Sequence, residues 1–159
     1  MLNKILAFAV LSLALLMQPA RAETQKSDKE KDSFIQNLST LNQQQKAQLL
    51  DEVVRGVNER YVQLPETDVL QSMRLSHDFP QKEQLTYTIQ FQPALRPVLD
   101  RNRERFVQIV ETDVEQNASC FPGKMVEAMN QLGVHQVRLL FRLENETVWE
   151  WVRDLPVCR

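Results

Sequence analysis

Twice along this chain the spacing of apolar side chains switches from the period of a helix to the period of a strand, and that double switch limits the fold more than any other feature. Phe34, Leu38 and Leu41 stand at i, i+4 and i+7, and over residues 42–61 Leu50, Val53, Val54, Val57 and Tyr61 keep to one helical face. Leu64-Pro65 ends that pattern, because proline disfavours helix in the residue before it. From Val69 the period is two: Val69, Met73, Leu75 and Phe79 share one side, and Ser72, Arg74, Ser76 and Asp78 take the other. After the polar turn 80–84, Leu85, Tyr87, Ile89 and Phe91 alternate with Thr86, Thr88 and Gln90. Two such strands across a short turn predict an antiparallel hairpin.

The cycle then repeats. Pro97 suits the first turn of a helix running to about residue 118, with Leu99, Phe106, Val107, Val110 and Val114 as its stripe. Pro122 opens a shorter helix with Met125, Met129 and Leu132 on one side, and Gly133 is placed to end it in a left-handed conformation. Val137, Leu139, Phe141 and Leu143 alternate in a third strand, residues 144–146 turn the chain, and 147–153 return it. In the returning strand Trp149 and Trp151 share one face, Val148 and Val152 the other, so it expects cover on both sides or a face used for binding. The order helix, helix, hairpin, given twice, predicts one α+β domain over residues 34–159: two antiparallel β-hairpins packed with about four helices.

The amino terminus speaks to compartment. Lys4, an apolar run over residues 5–17 and Ala20-Arg21-Ala22 make the pattern of a secretory signal peptide, residues 1–22, which places the protein in the periplasm or outside the cell. Residues 23–33, ETQKSDKEKDS, hold no large apolar side chain and read as a disordered charged arm. Removing the signal takes away two bases, Lys4 and Arg21, and no acid, so the formal net charge of −2 becomes −4. Nucleic-acid binding wants a basic excess, which this balance excludes as an expectation. No later segment is long and apolar enough to cross a membrane.

Export also bears on the two cysteines. Cys120 and Cys158 both lie beyond the signal and would meet an oxidising compartment, so a disulfide between them is the expectation. On the chain-entropy account, closing that loop stabilises the fold by about 4 kcal/mol. The competing reading is a reactive Cys120 thiol at a helix start, served by His77 or His135 as base. No other catalytic constellation is present: there is no G-x-S-x-G elbow, and three glycines, Gly56, Gly123 and Gly133, make neither a phosphate loop nor a dinucleotide fingerprint. Two histidines cannot furnish a zinc site, so no metal and no cofactor is expected. Two features point to a partner. Arg96, Arg101, Arg103 and Arg105 gather around the start of the third helix, interleaved with Asp100 and Glu104, and could meet an acidic surface. Trp149 and Trp151 belong to the residue type that dominates binding hot spots.

The segments "NERYVQLPETDVLQSMRLSHDF" and "CFPGKMVEAMNQLGVHQVRLLFRLENETVWEWVRDLPVC" resemble a pattern found among small exported bacterial proteins of unassigned function, carried here by Asn58, Leu64, Pro65, Asp68, Cys120, Leu132, Gly133, Val134 and Cys158. The arrangement is also similar to that of the quorum-sensing-regulated virulence-factor-like proteins. The resemblance implies fold and compartment and brings no catalytic residue. The resulting expectation is an exported, non-enzymatic module that binds another protein, as an inhibitor, immunity protein or accessory to an envelope or secretion system. A small periplasmic enzyme or thiol-redox protein using Cys120, and a carrier of a small ligand or lipid, stand as alternatives.

Overall fold

Asn42 shows how local chemistry sets the first boundaries. Its Oδ1 accepts from the Gln45 backbone N–H at 2.9 Å, and Gln45 Oε1 accepts from the Asn42 N–H at 3.0 Å, a reciprocal cap that starts a helix at the next residue. A computed structural model of the chain describes residues 28–62, 69–117, 121–155 and 157. The segment 1–22 read as a signal, residues 23–27 of the arm, Cys120 and Cys158 all lie outside those residues.

The elements run α1 (Asp28–Ser39), α2 (Gln43–Val62), β1 (Leu70–His77), β2 (Gln84–Phe91), a 3-10 turn (Pro93–Leu95), α3 (Arg96–Asn117), α4 (Gly123–Gln131), β3 (Gln136–Leu143) and β4 (Glu146–Asp154). Helix α1 begins at Asp28, so the end of the segment expected to be a disordered arm is helical. Acidic residues at Asp28 and Glu30 suit the positive end of a helix, and Lys and Glu are good helix formers. The buried stripe of α1 is Ile35 and Leu38; Phe34, expected inward, is 57% exposed. Gly133 does end α4 as read from the sequence, with φ at 85°, and the Val134 N–H donates back to the Met129 carbonyl at 2.9 Å.

Both hairpins form, but they are not separate units. Strands β2 and β3 pair in parallel along their whole length, from Gln84 with Gln136 to Phe91 with Leu143, giving one mixed sheet in the order β1-β2-β3-β4. The expectation of two packed hairpins is corrected on this point. The physical reason is burial: each hairpin has one apolar face, and side by side the two make a continuous surface that the helices cover together. The long connection through α3 and α4 is what a parallel pair requires.

On the covered face Met73, Leu75, Leu85, Tyr87, Ile89, Phe91, Val137, Leu139, Phe141 and Leu143 join Leu50, Tyr61, Leu99, Phe106, Val110, Val114 and Val126 from the helices in one core. Phe106 of α3 meets Phe91 edge-on, with ring centroids 5.5 Å apart. Two bulges break the period of two. In β1 the pairing jumps from Leu70 to Ser72, which brings Leu70 into the core. In β4 it jumps across Val148, which is buried instead of standing opposite the tryptophans with Val152.

Candidate functional site

The two edges of the sheet and its two faces are treated very differently. Edge strand β1 is closed by α2: the Leu75 N–H donates to Asn58 Oδ1 at 2.7 Å, and Asn58 Nδ2 donates to the Leu75 carbonyl at 2.9 Å. One amide side chain thus stands in for a neighbouring strand, which is how edges are kept from pairing with other chains. A few residues away Asp51 Oδ1 lies 3.0 Å from His77 Nε2, a second tie between α2 and β1.

The arginines singled out around the start of α3 are mostly fastened within the molecule. Arg96 Nη1 donates to Glu146 at 2.6 Å and Nη2 to Glu144 at 2.9 Å, and Arg103 pairs with Glu146 as well. The pairs hold the Glu146 carboxyl below its ordinary value, through the hydrogen bonds from Arg96 and then Arg103, and raise the Arg96 guanidinium further above its own. Their role is to clamp α3 onto the β3–β4 turn. Arg101 and Arg105 are exposed and meet no acid among the described residues.

Trp149 and Trp151 stand opposite Phe141 and Leu139, so both lie on the helix-covered face. Trp149 packs on Phe141 at 5.4 Å between centroids, and Arg153 stacks on the Trp151 ring at 5.2 Å. Both are half-buried, and Trp151 Nε1 is buried with no acceptor. His135 Nδ1 sits 3.0 Å from Asn130 Oδ1. Burial pushes the Tyr87 hydroxyl up to about 12, so this phenol stays protonated and is no base. Among the described residues no three His, Cys, Asp or Glu side chains gather as a metal would need, and no helix is long and apolar enough to cross a membrane.

The opposite face of the sheet carries the unexplained polar groups. Three rows cross it: Ser76, Thr86, Arg138, Val152; Arg74, Thr88, Leu140, Glu150; and Ser72, Gln90, Arg142, Thr147. Ser72, Arg74, Thr147, Glu150 and Val152 are exposed, and none of these residues belongs to the core under the helices. Yet Thr86 retains only 7% exposure, and its Oγ1 has no hydrogen-bond partner. The Nε atoms of Arg138 and Arg142 are likewise buried and unsatisfied. Arg138 Nε is 2.8 Å from Glu150 Oε1 as an ion pair, but its N–H is not aimed at that oxygen. Three unsatisfied polar atoms on one side of one sheet are unusual, since buried polar groups nearly always find partners.

This face was missed as a site because its residues come from four strands, whereas the cluster 96–105 is contiguous in sequence. The available signal was the alternation itself, which sets Arg74 opposite Met73, and Arg138 and Arg142 opposite Leu139 and Phe141, once the strands are assigned. No family model, curated protein or solved structure matches the chain.

Proposed function

We propose that the chain is an exported binding module that receives another protein on the face of its sheet away from the described helices, of the inhibitor, immunity or envelope-accessory kind. The observation that carries this is the unsatisfied trio, Thr86 Oγ1, Arg138 Nε and Arg142 Nε, on the side of the sheet away from the core that the described helices cover. With the Arg138 and Arg142 side chains swung off the sheet, a partner's acceptors would complete those buried groups, while exposed Val152, at 43%, and half-buried Leu140 offer apolar contact beside them. The sequence pattern of a signal peptide supports the exported compartment. The same reading includes a disulfide between Cys120 and Cys158, supported by their chain neighbours Phe121 and Val157, which pair in a β-bridge. Protein purified without reductant should then show no free thiol, and two titratable thiols would sink that part.

The binding face is tested by placing a photo-crosslinking residue at Ser72 or Val152, and for comparison at exposed Glu59 on α2, in cells that export the protein. Crosslinking to one protein from the sheet positions and not from α2 is the expected result. Equal crosslinking from both sides, or none from the sheet, would remove the basis for the proposal.

A further inference from the structure

We infer that the segment received by the open face is an acidic, extended stretch of polypeptide carrying two carboxylates four residues apart; this rests on the reading that the face is the binding surface. The chain as a whole holds more acid than base. The centre of this face is nevertheless basic: Arg74 on β1 and Arg138 and Arg142 on β3 stand against Glu150, which is already paired with Arg138, and Asp154 lies at a far corner beside Gln136. Arg74 meets no acid among the described residues. Arg142 gives only a 3.3 Å bond from Nη2 to the Asn145 carbonyl, which leaves its charge uncompensated.

Register fixes the spacing. Arg142 is level with Gln90 and Ser72, and Arg74 lies two residues along β1, so strand separation and rise put the two Cα atoms ~12 Å apart. Carboxylates at i and i+4 of an extended segment are ~13 Å apart and on one side. One such segment reaches both guanidinium groups while its middle residue crosses β2 between Thr88 and Gln90, where an uncharged side chain fits. Among the described residues of this face there is no aromatic ring on which a base could stack.

The test is fluorescence anisotropy of the purified protein with a labelled peptide, Ser-Glu-Ser-Leu-Ser-Glu-Ser-Leu-Ser-Glu, against its all-Gln counterpart and a labelled single-stranded DNA ten-mer. The acidic peptide should bind, weaken as salt rises, and bind about tenfold more weakly to Arg74→Glu and to Arg142→Gln. Arg55→Glu, exposed on α2, should leave binding unchanged. If Arg142→Gln does not fold, Arg74→Glu decides alone, because Arg74 is exposed and unpaired. Equal binding of the all-Gln peptide or of DNA, or indifference to Arg74→Glu, overturns the inference. Loss of peptide binding with crosslinking from Ser72 and Val152 intact would overturn the acidic segment and leave the protein-binding face standing.

Discussion

Gly133 shows what a single backbone position demands. Its φ of 85° lies where L side chains are strained, and an added Cβ would stand 2.6 Å from Phe79 Cε2. Gly133→Ala should therefore lower the unfolding free energy by about 1–3 kcal/mol, read from the urea midpoint at unchanged slope. Asn58 is a different kind of constraint, since its amide serves both backbone groups of Leu75. Asn58→Ala should cost about 1–3 kcal/mol, and Asn58→Asp should not restore the loss, because a carboxylate cannot donate to the Leu75 carbonyl. Stability equal to wild type in the Asp variant would show that the bond to the carbonyl contributes nothing. The glycine was legible in the sequence because helix ends follow local rules. The asparagine was not, because its partner lies 17 residues away on an edge that exists only once the sheet is built.

Helix α3 and the β3–β4 turn are joined through Arg96, Arg103, Glu144 and Glu146. Glu146 has its carboxyl held below the ordinary 4.5 by its arginine partners, so its contribution to stability is present above the unfolded-state value and is lost as pH falls through the lower folded value. Glu146→Gln should flatten the fall in stability below pH 4.5, and raised salt should shrink the difference between variant and wild type, because the pairs are solvent-exposed. A thermal melt series with identical acid slopes for the two proteins would dissociate the clamp from the acid response. Elements were the best-read level of the sequence: four helices and four strands form in the order hydrophobic periodicity gave, although α1 begins at Asp28, inside the segment read as a disordered arm. Other misreadings sit at the bulges opposite Phe91 and Phe141, where an extra residue reverses the in-out alternation without any mark in the local pattern. The arginine cluster failed for a related reason. Neighbours in sequence around residue 100 found their acids some 50 residues on, at positions 144 and 146.

At the scale of the molecule, the feature that periodicity could not supply was the parallel pairing of β2 with β3, a contact between strands separated by two helices. That pairing leaves β1 and β4 as the two edges, and among the described residues only β1 is closed by a side chain from a neighbouring helix. Between positions 146 and 152 no described residue closes the outer edge of β4. Its protection has to come from the bulge at Val148 and from charge, of which Glu150 is the only one inside the run 147–152. Glu150→Val removes that charge and leaves six consecutive residues of high β-propensity on an open edge, the composition that drives edge-to-edge association. The variant should show concentration-dependent association by light scattering that the wild type lacks. Glu150→Lys should not, because it keeps a charge in the run, although it equally deprives Arg138 of its ion pair. Association of both variants would assign the protection to the pairing with Arg138. Association of neither would assign it to the twist introduced at Val148, and a Val148 deletion, which restores regular pairing with β3, would then be the variant that associates.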